Sequence, residues 1–563
     1  MLGSACWSRR PIPWRVFDWR LQRRTECGPH SPPIADEATS TSAFAGYHGS
    51  MKNGVGREIP ESVDGRPLAR TYTGPLDHLG KITRAPTLVT AARPGRSKVL
   101  PSIRRALEAC ELRDGATISF HHHLRNGDKV LNTVLNEIST AGLRDIRIAP
   151  SSLFPVHAPL VGHIRNGVVT GIHATFVSGP VGAAIARGQM QTAASMYSHG
   201  GRVRAIEAGD LHIDTAFIAA PTADTYGSIN GVGGPSACGT LGYAIVDAER
   251  ADHVVAVTDH LVPYPACPIQ ISQEYVDFVV PIDSVGDPSG IASGAMRPVD
   301  DPLGLHIARS AADVIEASGL LQHGFSFQTG AGGTSLAVAD FVADAMTRRG
   351  LRGSFASGGI TGRVVRMLED GLFRTILDVQ CFDLGAVDSY RRNPLHQSMS
   401  ASTYANPHNR GAVVNQLDVV VLGAAEVDLD FNVNVTTGSH GLIIGGSGGH
   451  CDTAAGAKLA VVTTRLNAGG YAKIVDQVRT VTTPGHTIDV VVTEAGIAVN
   501  PARGDIADRL HQAGLPVVSI DRLRDLAKRQ ASGAAPAPVG ERVVAVVEYR
   551  DGTVIDVVRQ PSD

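Results

Sequence analysis

The sequence predicts an α/β protein of two similar domains, each with a mainly parallel sheet flanked by helices, plus a small C-terminal hairpin. Three observations lead there. From Ser97 onward, helical stretches alternate with short β-branched runs, the rhythm of βα units on a largely parallel sheet. Two segments align without a gap, Ile213 to Asn230 and Leu417 to Asn434; each reads strand, polar turn, asparagine, and each is followed by a glycine-rich turn. The chain of 563 residues also exceeds the roughly 250–300 residues at which single cores stop growing.

Residues 1–50 hold all three tryptophans (Trp7, Trp14, Trp19), many arginines and prolines, and no sustained apolar run. They read as a disordered extension or an upstream start-site artefact, with Met51 the competing start, and 51–96 as an N-terminal arm. The first domain is placed at 97–295. It opens with a helix at Ser102–Leu112, a strand at Thr117–Phe120, a helix at Lys129–Ala141 and a strand at Asp145–Ala149. Turn formers cluster at Asp287-Pro288-Ser289-Gly290 and Asp300-Asp301-Pro302, so the second domain is placed at 296–530 and a cleft between the halves is the expected site. Ala531–Gly540 is an Ala/Pro-rich linker. Beyond it, strands at Arg542–Tyr549 and Thr553–Val558 flank Arg550-Asp551-Gly552, making 531–563 a linker with a hairpin appendage.

Hydrophobic residues make up 43% and charged residues 19%, the balance of a soluble globular protein. With net charge −3 and no long basic run, nucleic acid is not an expected partner. The seven cysteines lack CxxC spacing, which suits a reducing compartment and a cytoplasmic location. No apolar run reaches the roughly 18–20 residues of a bilayer span, so no membrane is expected.

The chemistry concentrates in a few turns. Gly441 to Gly449 has five glycines in nine residues, leaving amides that a thioester carbonyl can approach, and a helix able to start at Thr453–Ala457 adds partial positive charge. A second turn, Gln328 to Ser335, precedes a helix at Leu336–Arg348; no lysine follows its glycines, so it is not a Walker A loop. His121-His122-His123 follow a strand and precede Arg125. Adjacent strand residues point in alternating directions, so no metal is expected there, and the cluster reads as an anion site suited to a tricarboxylate. Glu494 ends an apolar strand and is either a solvated carboxylate or a nucleophile. Cys451 reads as a small buried residue.

Ser119–Asp128 (SFHHHLRNGD), Ser198–Val203 (SHGGRV), Gln328–Val338 (QTGAGGTSLAV), Leu417–Val421, Phe431–Gly438 (FNVNVTTG), Ser447–Thr453 (SGGHCDT) and Gly496–Arg503 (GIAVNPAR) together resemble the citrate lyase α subunit family. The likeness runs from about Leu100 to Asp525 and again through Arg542–Val558; residues 1–50 lie outside it. It implies CoA-transferase-like domains and a citrate CoA-transferase acting within citrate (pro-3S)-lyase. The implied partners are citrate, an acetyl thioester, an acyl-carrier (γ) subunit and a citryl-lyase (β) subunit in a hetero-oligomer. The thioester would sit on the carrier's CoA-derived prosthetic group, with no cofactor bound covalently to this chain. In this reading Gly446, Gly448 and Gly449 are the oxyanion site, and His121, His122, His123 and Arg125 hold citrate. Gly330, Gly332, Gly333, Asn432, Asn434 and His450 meet the carrier or CoA.

CoA-transferases that pass through a glutamyl thioester carry a glutamate near the start of the second domain. Here the stretch to match it, Leu351–Arg366, has no Asp or Glu, so direct mixed-anhydride transfer is expected, with Glu494 in reserve. The competing readings are a CoA-transferase for a related acid such as citramalate, a non-catalytic scaffold of an acyl-carrier complex, and an acyl-CoA hydrolase.

Overall fold

The computed structural model describes residues 49–68, 70–78, 84–86, 94–292, 299–533 and 535–562. The expectation of an N-terminal extension falls on residues almost wholly outside these. Numbering only the strands of the two large sheets, the first half supplies β1 (Thr117–Phe120), β2 (Ile146–Pro150), β3 (Val169–Ala174), β4 (Ala194–Met196), β5 (Thr215–Ala219), β6 (His253–Thr258) and β7 (Phe278–Pro281). The second half supplies β8 (Ser326–Thr329), β9 (Gly353–Ile360), β10 (Phe373–Cys381), β11 (His396–Ser398), β12 (Val419–Gly423), β13 (Leu459–Thr463), β14 (Val490–Thr493) and β15 (Gly496–Val499).

In space the first sheet runs β7-β6-β5-β1-β2-β3-β4 and the second β11-β10-β9-β8-β12-β13-β14-β15. Seven strands of each therefore share one order, 4-3-2-1-5-6-7 in the first half and its copy starting from β11 in the second, all parallel. The apolar strands are buried on both faces, as parallel sheets require. The aligned segments meet this symmetry residue for residue. Asp214 accepts from the Thr117 amide where Asp418 accepts from the Ser326 amide. Asp224 caps the turn at Tyr226 and Ser228 as Asp428 caps Asp430 and Asn432. The two similar domains read from the sequence are present.

The hairpin departs from expectation. Its strands β16 (Val539–Glu548) and β17 (Val554–Pro561) are longer than foreseen. They are no appendage: β16 pairs in parallel with β4, so the end of the chain completes the first sheet. Unpaired strand edges are a liability, and this pairing covers the β4 edge. Tyr549, fully buried, packs edge-on against Tyr72 with ring centroids 5.0 Å apart, tying the N-terminal arm to the same corner.

No helix of the described residues is long and apolar enough to cross a membrane.

Because Tyr549 is buried among residues from both ends of the chain, Tyr549→Ala is expected to cost about 3–5 kcal/mol of stability, read as a lower urea midpoint.

Candidate active site

A parallel sheet opens a crevice at the carboxyl ends of its strands where the strand order reverses. In each half that point is the central strand, β1 or β8. The segments that follow them, His121–Arg125 and Thr329–Gly333, face a common cavity of about 500 Å³ walled by both halves.

The glycine turn of the second half closes this cavity. Gly448 has φ +52°, a left-handed conformation that favours glycine. Its N–H donates to the Thr175 carbonyl (3.1 Å) and its carbonyl accepts from the His199 N–H (2.7 Å). His199 opens helix α1 (His199–Ala208), and Asp452 reaches across to cap it, accepting from Ser198 Oγ and Gly200 N–H at 2.9 Å each. Gly448 is thus the clasp between the halves, and its amide is already spent. Among the described residues, the Gly446, Ser447 and Gly449 amides have no acceptor, so they remain available to a ligand.

The second turn leads into helix α2 (Gly333–Arg348), whose N-cap, Gly332, offers no side chain to the first-turn amides. Gly330, Gly332 and Gly333 all line the cavity, with Gly330 pinned through its N–H to the Val421 carbonyl (2.6 Å).

Among the described residues, three cations line the cavity, Arg125, Arg465 and Lys473; Arg465 is paired with Asp301, and Arg125 is the deeply buried one. It adopts φ +50° and is only 8% exposed. Its guanidinium lies 4.7 Å from the Phe154 ring centroid and 5.2 Å from that of Phe382. No carboxylate among the described residues pairs with it, and its Nε has no acceptor. Burial pulls its pKa down to about 10, still well above neutrality. A buried charge without a partner is costly, and an anionic ligand would remove that cost.

His122 also lines the cavity. Its Nδ1 is 2.5 Å from Ser151 Oγ, and its ring stacks on Tyr243, whose other neighbour is His199. Burial, with His199 and Arg125 nearby, holds His122 well below the usual imidazole range. His199 is pulled down to about 3 by burial and by Arg202 and Arg125. Gln380 reaches the same wall and donates from Nε2 to the His122 carbonyl (2.8 Å). Its backbone is fixed by Asp378, which accepts from the Gln380 amide, from His396 Nε2 and from Cys381 Sγ. These buried groups, close enough together for metal ligands, are satisfied by one another.

Several expected contacts lie elsewhere. His121 points away from the cavity, its Nε2 3.1 Å from Asp247, a carboxylate also gripped by Arg202. His123 is buried, and neither ring nitrogen has a partner among the described residues. Asn434 accepts the Thr436 and Thr437 amides and donates to Glu426; Asn230, its counterpart in the first half, accepts Val232 and Gly233 in the same way and lies outside this cavity. Asn432 spends its side chain on Asp428 and the Gly485 amide. Both asparagines build the turns of the repeated domain, and neither lines this cavity. His450 borders the cavity, yet Nε2 is 2.9 Å from the Gly423 carbonyl and Nδ1 2.7 Å from Thr483 Oγ1, so it anchors the glycine turn and offers no free nitrogen. Glu494 uses both oxygens on the Leu466 amide, outside the cavity wall. Cys451 is buried, its thiol pushed up to about 12 by burial and by Asp452. The helix expected at Thr453–Ala457 begins earlier, spanning His450–Gly456. Sequence reading missed His199, Tyr243, Gln328, Gln380 and Tyr404. Of these only His199 and Gln328 sit in glycine-bearing strings that could have drawn attention.

No Asp, Glu or Cys among the described residues lines the cavity. The site is a cleft with a buried, unpaired guanidinium at Arg125, two further cations at Arg465 and Lys473, neutral imidazoles and unspent backbone amides.

These features define an α/β protein of two similar CoA-transferase-like domains with a cavity walled by both. The family described as citrate lyase, alpha subunit (CitF) matches residues 96–561. The chain is 47% identical over 487 residues to the citrate lyase alpha chain of Klebsiella pneumoniae (86% of this chain, 96% of that one). It is 49% identical over 466 residues to that of Escherichia coli strain K12 (83% and 91%). A crystal structure of the putative citrate lyase α subunit of Streptococcus mutans in complex with citrate superimposes with a TM-score of 0.88 at 48% identity, covering 91% of this chain and all of that one. This chain belongs to the citrate lyase α subunit family.

Imidazoles held neutral by burial make the fold acid-sensitive. For His122, His199 and His450, the last pulled down to about 4 by burial, the folded pKa lies below the unfolded value. Their contribution is therefore complete above about pH 6.5 and is lost as pH falls, by about 1.4 kcal/mol per pH unit per histidine. Urea midpoints measured from pH 7 to 5 should drop steadily, and less so in His450→Gln.

Proposed function

We propose that this chain is the acyl-transferring subunit of a citrate lyase complex, exchanging acetate for citrate on a carrier thioester by direct transfer without an acyl-enzyme. The observation that carries this reading is Arg125: a buried, unpaired cation in a cavity whose described wall holds no carboxylate or thiol. The cation calls for an anionic acceptor, and the empty nucleophile position argues against a covalent enzyme adduct.

A citrate carboxylate held by Arg125 and His122 attacks the acetyl thioester carbonyl. Its lone pair forms the C–O bond, the carbonyl π pair becomes an oxyanion, and collapse expels the carrier thiolate, leaving citryl-acetyl anhydride. The thiolate then attacks the citryl carbonyl, and acetate leaves with the electron pair. One thioester replaces another, so the protein supplies orientation and oxyanion stabilisation rather than driving force. The amides of Gly446 and Gly449 face the carbonyl oxygen. The α2 N-terminus with Gly330, Gly332 and Gly333 receives the carrier's CoA-derived arm, whose phosphate suits a helix N-terminus. Carrier and citryl-lyase subunits complete the reaction in the cytoplasm.

Purified chain incubated with acetyl carrier or acetyl-CoA and labelled citrate is expected to give citryl thioester, with nothing trapped on the protein by borohydride or hydroxylamine. A trapped adduct would overturn direct transfer; transfer only to another acid, such as citramalate, would overturn the choice of acceptor.

Replacing the guanidinium, Arg125→Ala should raise the KM for citrate by about 10–100-fold, the worth of one to two charge-assisted hydrogen bonds, with the KM for the thioester little changed.

A further inference from the structure

Tyr404 lies in the short helix Ala401–Ala405 and lines the cavity, yet it is only 3% exposed. Gln328 Nε2 donates to its hydroxyl oxygen at 2.7 Å. That bond occupies a lone pair and leaves the hydroxyl proton without an acceptor among the described residues. The hydroxyl stands directly over Gly449, where an ideal Cβ would come within 2.5 Å of Oη. The Gly449 amide is one of the unspent amides of the turn, whereas the Gly448 amide is taken by Thr175. An oxyanion is best held by several converging donors; the Gly448 amide cannot be one of them, and the Tyr404 hydroxyl adds a donor beside the free amides of the turn.

We infer that Tyr404 is a catalytic residue, its hydroxyl donating with the Gly449 amide to the oxyanion formed when an acid attacks the carrier thioester. The inference rests on the transfer reaction proposed above and assigns a donor to it. The phenol keeps its proton throughout. It donates more strongly as the π pair collects on the carbonyl oxygen, then relaxes as the C=O bond reforms and the C–S bond breaks. Burial raises the phenol pKa well above its usual value, so the hydroxyl stays a neutral donor at any working pH. Gln328 is a positioning residue: its amide fixes the phenol oxygen and is itself packed against Gly358, where a Cβ would come within 2.6 Å of the amide carbon.

The test compares wild type and Tyr404→Phe, both with full-length chain, in two assays: exchange of labelled acetate into acetyl-CoA, and transfer from acetyl-CoA to citrate. The phenyl ring keeps the packing, and thermal unfolding checks that it does. Expected is a fall in kcat of about 100-fold or more in both assays, with the KM for citrate within a few-fold of wild type. Gln328→Met, which leaves the hydroxyl in place but unheld, is expected to lose less kcat, and supplies the test if Tyr404→Phe fails to fold. Unchanged exchange in folded Tyr404→Phe would overturn the proposal, because the phenol proton would then be spent on Gln328 Oε1. If wild type exchanges acetate but ignores citrate, the citrate reading falls while the acetate assay still decides Tyr404.

Discussion

Everything at the site hangs on the hydrogen bonds that Gly448 makes across the two halves, donating to Thr175 and accepting from His199. A sheet-and-helix half has no reason to hold its glycine turn against a neighbour unless something satisfies the backbone there. Both polar groups of one residue are satisfied by the other half, and Asp452 repeats the exchange by capping α1. Buried polar groups without partners cost about 1–3 kcal/mol each, so the turn has one low-energy position. The cavity, the orientation of His199 and the unspent amides beside Gly448 all follow from it. The same bonds explain why the turn is not a ring of equivalent donors: fixing the middle amide is what frees its neighbours.

The electrostatics follow from that enclosure. Two sheets meeting at their switch points bury these side chains, and burial keeps His122 and His199 neutral while leaving Arg125 charged, because a guanidinium gives up its proton far less readily. Phe154 and Phe382 flank the guanidinium with π faces, which hold a cation without neutralising it. A carboxylate in their place would have silenced the charge. The cavity therefore carries net positive character despite an overall net charge of −3.

Much of the architecture was legible because the repeat is local chemistry written twice. Strand, aspartate-capped turn and asparagine recur at Thr215–Asn230 and Val419–Asn434, and periodicity locates such elements well. The same recurrence corrects the site reading. The string Phe431–Gly438, which carries the family resemblance, suggests Asn432 and Asn434 as ligand contacts, but Asn434 and its counterpart Asn230 do the same job outside this cavity, which is building the turn. The hairpin was seen as strands but not as part of the first sheet, since parallel pairing between β4 and β16 leaves no local signal. His121 and Glu494 were invisible as structural groups for a related reason: their partners, Asp247 and Leu466, are chosen by tertiary packing. Tyr404 was missed because a lone tyrosine in a five-residue helix carries no motif.

The make-up of the wall also bears on why such a cleft would favour exchange over hydrolysis. Water must lose a proton to attack a thioester, and that takes a base whose pKa lies near the working pH. The imidazoles here are poor bases; His199, drawn down to about 3, is too weak by several orders of magnitude. No carboxylate of the described wall can take their place. An acceptor acid arrives already ionised, needs no base, and meets a cation waiting for it. Burial thus selects against water chemically, and the features that leave the site without a general base are those that leave Arg125 without a partner.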